Sequence, residues 1–138
     1  MVGRRRVWGQ VADESGASII EDLLALMLLA LVFAVGVQGF AYAQARSVAV
    51  AAAQAGANDA ASNGPNAGVE GAQQVLDAGG GAAHHLAPSV SEGTGTVTVT
   101  VAGQAPQLFP LSILLPAIRT SATDPLEQYP PDEQAAAP

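Results

Sequence analysis

The pattern of apolar and polar positions divides the chain into a greasy rod and a patterned remainder. Leu23 to Ala45 carries no charge, and Leu23 to Val37 is entirely apolar or glycine. A charge-free run of this length is long enough to cross the roughly 30 Å hydrocarbon layer of a bilayer as one helix. Its Leu, Val, Ala, Met and Phe residues are favourable or nearly neutral at the bilayer centre. Ala17 to about Ala61 contains no proline and is dominated by Leu and Ala, so it reads as one helix, roughly 65 Å long at about 1.5 Å per residue. Residues 23–45 are the expected transmembrane part, and the rest stands outside the bilayer. In that outer half Ala41, Ala45, Ala49, Ala53, Ala57 and Ala61 recur every four residues, while Gln44, Ser47, Gln54 and Asn58 form a narrow polar stripe. Small residues at this spacing let backbones approach closely. Alanine's high helix propensity is a second explanation for the same pattern. Ala45, Ala49, Ala53 and Ala57 are the candidate packing positions.

Further along, Ser62 to Gly68 collects Asn, Gly and Pro and is expected to break the helix. Val69 to Ala78 repeats at helical spacing and ends at Gly79-Gly80-Gly81. Ala82 to Ser91 has room for a short strand, and Pro88 places it at a sheet edge. Thr94 to Val101 is the clearest strand. Val97, Val99 and Val101 alternate with Thr96, Thr98 and Thr100, one face to bury and one for water. Leu108 to Leu115 is apolar but cut by Pro110, and reads as a loop or short helical turn that covers the valine face or touches a membrane surface. Ala117 to Thr123 alternates again and reads as a partner strand. Asp124 to Pro138 is acidic and proline-rich, a composition that disfavours fixed structure. The expected fold class is α+β: a long N-terminal transmembrane helix extending into a small exported head with a short helix and a small antiparallel sheet. The expected segments are a leader over 1–16, the long helix over 17–61, the head over 62–123 and the tail over 124–138.

Charge sets the orientation. The chain has 138 residues, five arginines, no lysine, no cysteine and a net charge of −7. The first sixteen residues hold three arginines and two acids, net +1; the remainder holds two arginines and ten acids, net −8. The Arg4-Arg5-Arg6 cluster keeps the N-terminus cytoplasmic and exports the C-terminal part by the positive-inside rule. The acidic body repels phosphate backbones, so nucleic acid is not an expected partner. Without cysteine there is no disulfide and no thiolate metal site or nucleophile. His84-His85 are neighbours, which point to opposite faces of a strand and make a poor metal pair. No Ser, His and acid grouping suggests a triad, and no glycine loop resembles a phosphate cradle. No enzymatic activity, cofactor or metal is expected.

Glu21 and Asp22 stand directly against the start of the apolar run. An acid at a membrane edge costs free energy, so it calls for a partner or a purpose, unless it is only an interfacial acid beside a signal anchor. Gly16, four further residues, Glu21 and then a long apolar helix resemble the processing signature of type IV pilins and their relatives. That resemblance implies cleavage by a prepilin peptidase after Gly16, leaving Ala17 as the new N-terminus. It also implies that Glu21 pairs with the N-terminal ammonium of a neighbouring subunit and sets the axial register. A desolvated ammonium and carboxylate stabilise each other only when both are present. The later order is similar to TadE-like minor pilins (pseudopilins) of tight-adherence, Flp-type pilus systems. It comprises the alanine-rich helix with Ala51-Ala52-Ala53-Gln54-Ala55-Gly56-Ala57, a short helix, the Val97-Thr98-Val99-Thr100-Val101 strand, a Pro-Leu segment and Leu126-Glu127-Gln128-Tyr129. The family implies a non-catalytic, accessory role in pilus assembly, priming or tip formation. The partners it implies are other pilin subunits, the prepilin peptidase, the Tad secretion platform and the lipid bilayer. Location is then the cytoplasmic membrane, single-pass, with passage into an extracellular pilus. Two departures stand out: Asp22 replaces the usual apolar residue, leaving either acid as the amine's partner, and the proline often seen early in the apolar run is missing. A competing reading is a secreted or signal-anchored acidic binding module, since Ala43-Gln44-Ala45 fits a signal-peptidase site. Against it, the residues before the apolar run carry three arginines and four acids, where a secretory signal needs a positive start.

Overall fold

The structure, a computed structural model, describes residues 10–109 and 115–126, with side chains from residue 18 onward. Helix α1 is Gln10–Asn63, helix α2 is Pro65–Ala78, and a single 3-10 turn covers Gly80–Ala83. Strands β1 (Leu86–Glu92), β2 (Thr96–Gly103) and β3 (Ile118–Pro125) form one antiparallel sheet in the order β1-β2-β3. The fold is α+β, with a long apolar N-terminal helix, a shorter helix and a three-stranded meander. The chain divides into two units, Met1–Val37 and Gln38–Pro138. The Arg4-Arg5-Arg6 cluster and all but the first three residues of the expected tail lie outside the described residues.

Within the first unit the described chain is helical, and its large apolar side chains are exposed on every side of the helix, from Ile19 to Val35. α1 begins at Gln10 rather than near Ala17. Gln10 to Ser15 holds no proline or glycine to stop it, and Gly16 lowers propensity by only about 1 kcal/mol.

The second unit owns the core. Val97, Val99 and Val101 are its largest fully buried side chains, and the alternation expected for β2 holds along its length. They share one cluster with Ala45, Ala49, Ala52, Ala53, Ala57 and Ala60 of α1, Ala72 and Leu76 of α2, and Leu86 and Ile118 of the flanking strands. Small residues dominate because the elements come very close together. A methyl group added to Gly56 would lie 2.7 Å from the Gly68 carbonyl oxygen, 2.9 Å from the Ala72 Cβ and 3.1 Å from the Val99 Cγ1. One added to Gly68 would lie 2.5 Å from the Ala60 Cβ. Glycine and alanine therefore let α1, α2 and β2 meet almost backbone to backbone.

The expected break between the helices needs correction. The break between the helices is one residue, not Ser62 to Gly68, and α2 starts at Pro65 instead of Val69. Gly64 reverses the chain alone at φ 92°, its N–H donating to the Ala60 carbonyl at 3.0 Å. Proline is well suited to the first helical turn, where its missing N–H costs nothing. The valines share their cluster with alanines of α1 and with Ala72 and Leu76 of α2; the sequence points to Leu108–Leu115 as a further cover. Leu108 and Phe109 remain 53% and 39% exposed, and the rest of that apolar segment up to Leu114 lies outside the described residues.

The other face of the sheet is a registered array of hydroxyls. Ser91, Thr98 and Thr123 form one cross-strand row, and Ser89, Thr100 and Ser121 the next. The Thr98 and Thr123 hydroxyls share a 2.8 Å hydrogen bond. β1, which contains Pro88, lies at the sheet edge.

Candidate functional site

Three features of the chain bear on function: the acid pair at the foot of the apolar run, the run itself, and the point where the second unit begins.

Gly16 and Ala17 lie within α1, so the expected processing junction is helical backbone. Glu21 and Asp22 are both exposed on the same helix. As neighbours they point about 100° apart around its axis, so they face different directions. Beyond them, Ser18–Asn63 contains a stretch long and apolar enough to cross a membrane, by length and composition.

The bare stretch stops at Gln38. Its side chain is 4% exposed, the only buried polar side chain among the described residues. Its Nε2 donates to the Pro106 carbonyl oxygen at 3.1 Å, and its Oε1 accepts from the Leu108 N–H at 3.1 Å. Both ends of the amide are satisfied, which burial of such a group demands. From this residue onward α1 is covered along one side by its own chain. Residues 38–45, which the apolar pattern assigns to the span, thus carry protein contacts. Gln38 escaped the sequence reading, although one polar residue inside an apolar run is the signal that would have found it.

Ala45, Ala49, Ala53 and Ala57 are 0–1% exposed and belong to the core cluster. The four-residue ladder found only one of two ridges. Val48, Ala52, Gly56 and Ala60 form the second, and both pack inward. Gln44, Ser47, Gln54 and Asn58 are exposed on the opposite side.

No family profile, curated protein or solved structure matches the chain.

His84 and His85 are exposed at the turn before β1. Among the described residues, no three His, Asp or Glu side chains group as metal ligands.

Proposed function

We propose that this chain is a membrane-anchored minor pilin, or pseudopilin, of the TadE-like kind. In this reading a prepilin peptidase cuts after Gly16, the helix retains the subunit in the cytoplasmic membrane, and the head stands on the extracytoplasmic side. The subunit then acts in the assembly, priming or tip of a Tad/Flp-type pilus. The single observation that carries the reading is the succession on one helix of Gly16, the exposed Glu21-Asp22 pair, a bare apolar run and a small α+β unit that folds onto the outer turns of α1. Cleavage would make Ala17 the first residue and Glu21 the fifth, four residues beyond the new ammonium. A carboxylate at the edge of the hydrocarbon is stabilised by such an amine from a neighbouring copy, which sets the axial offset between subunits.

The secreted-module reading loses support from the packing. A signal-peptidase cut after Ala45 would remove Gln38 and Ala45, both buried in the second unit. It would also leave the Pro106 carbonyl and Leu108 N–H without their partner.

N-terminal sequencing of the mature membrane-bound protein tests the proposal. It is expected to start at Ala17; a start at Arg46, or an intact Met1 to Gly16, would refute it. Glu21→Ala is expected to leave membrane insertion and cleavage intact and to abolish co-purification with other pilin subunits. Undiminished co-purification would remove the register role.

A further inference from the structure

Gln38 does more than end the bare stretch. It holds the Gln104-to-Phe109 loop against α1 at the first residue after the apolar run, and two large apolar side chains of the loop are left uncovered there. Leu108 is 53% exposed and Phe109 39%. Leu108 is fixed directly by its N–H bond to Gln38, and Ala105, just before Pro106, is buried in the core. The described part of the loop is thus held at Ala105 and Leu108, while the Leu108 and Phe109 side chains are exposed.

The charges of the second unit are distributed along the same direction. Gly103, where β2 enters this loop, pairs with Leu86 and Ile118, so Arg119 and His85 lie at the loop end of the sheet. The His85 carbonyl accepts from the Gln104 N–H at 3.3 Å. Arg46 is about two helical turns, roughly 12 Å, beyond Gln38. Glu92 and Asp124 both pair with Val97 at the opposite end of the sheet, roughly 20 Å away at about 3.3 Å per residue. Asp59 lies roughly 30 Å up the helix from Gln38, and Glu70 is beside it, on the α2 turn where Gly71 abuts Asp59. Asp77 falls between, near Gly79, which approaches Val48. Both described arginines therefore sit toward the end with the exposed apolar side chains, and most of the acids sit away from it.

We propose that Leu108 and Phe109 form a second lipid contact carried by the head: a loop that enters the bilayer interface and sets how close the head stands to the membrane. It rests on the reading of α1 as a membrane anchor, because Gln38 is where the chain leaves the apolar run. A side chain pinned to that residue lies at the depth where hydrocarbon gives way to headgroups. Arginine on this side suits anionic headgroups, whose negative surface potential attracts nearby cations. Remote acids avoid the same field. The occupant is the lipid interface, since Leu108 is bonded to the residue at which the apolar run ends.

The absence of native cysteine makes the test direct. Leu108→Cys, Phe109→Cys, Val32→Cys and Asn58→Cys, each in the full chain, are labelled with an environment-sensitive fluorophore. They are reconstituted in vesicles of phosphatidylcholine and phosphatidylglycerol, then challenged with aqueous iodide or with a lipid bearing a nitroxide near its headgroup. Expected is blue-shifted emission at positions 108 and 109, with loss of iodide quenching and strong nitroxide quenching. Position 58 is expected to respond to iodide alone. If position 32 is shielded from iodide while 108 and 109 behave like 58, the loop contact is refuted and the anchor stands. If position 32 is itself quenched by iodide, the anchor fails and the loop contact fails with it.

Discussion

Gly56→Ala separates packing from propensity on the outer half of α1, because the two effects have opposite signs. If alanine-rich composition served helix formation alone, replacing a mid-helix glycine with alanine would stabilise the protein by about 0.8–1 kcal/mol. The structure predicts the reverse. The new methyl meets the Gly68 carbonyl oxygen at 2.7 Å, the Ala72 Cβ at 2.9 Å and the Val99 Cγ1 at 3.1 Å. Two of these neighbours cannot swing aside, since one is backbone and one is a Cβ. Overpacking of this kind costs about 1–3 kcal/mol. Set against the propensity gain, the net effect is a loss of up to roughly 2 kcal/mol for a substitution well inside the cluster. For a domain of this size each kcal/mol lowers the melting temperature by about 4–8 °C. Thermal unfolding of the full chain in detergent, followed by circular dichroism and by amide exchange at Val97, Val99 and Val101, reads the change where it matters. Gly39→Ala is the control: a methyl there meets nothing within 4 Å, so it should be neutral or stabilising. A Gly56→Ala protein that melts at or above the parent temperature would refute the close approach of α1, α2 and β2.

Three further outcomes follow from the same geometry. Gln38→Ala strands the Pro106 carbonyl and the Leu108 N–H, which should cost about 1–3 kcal/mol and accelerate amide exchange at Leu108; unchanged exchange there would show that the clamp does not hold the loop. Val99→Ala removes buried methyl groups at about 0.8 kcal/mol each and leaves a cavity, so denaturant unfolding should report a loss of about 2–3 kcal/mol. Thr98→Val breaks only the exposed hydroxyl pair with Thr123 and should stay within about 0.5 kcal/mol of the parent in the same assay.

The local pattern alone announced the long helix, the short helix and the central strand, because each is written in a periodicity that neighbouring residues share. Leu23 to Val37 is apolar all round, and Val97 to Val101 alternates with period two. Those signals survive without knowledge of any distant contact. The reversal at Gly64 was misjudged for the opposite reason: Ser62 to Gly68 looks uniformly helix-breaking, yet one glycine at positive φ suffices when proline opens the next helix. Ala45, Ala49, Ala53 and Ala57 were legible as a ladder, but not what they pack against.

What covers those alanines is a matter of tertiary structure. Sequence spacing shows that a surface is smooth; only the folded chain shows that α2 and the valines of β2 press on it, with Gly56 and Gly68 at the crossing. The same holds for Gln38. Its partners lie about seventy residues away in sequence, and no local pattern couples a helix amide to the backbone of a loop so distant. Burial of one polar side chain between them decides where the bare rod stops and the folded unit starts, because a desolvated amide is tolerable only where both its ends are bonded.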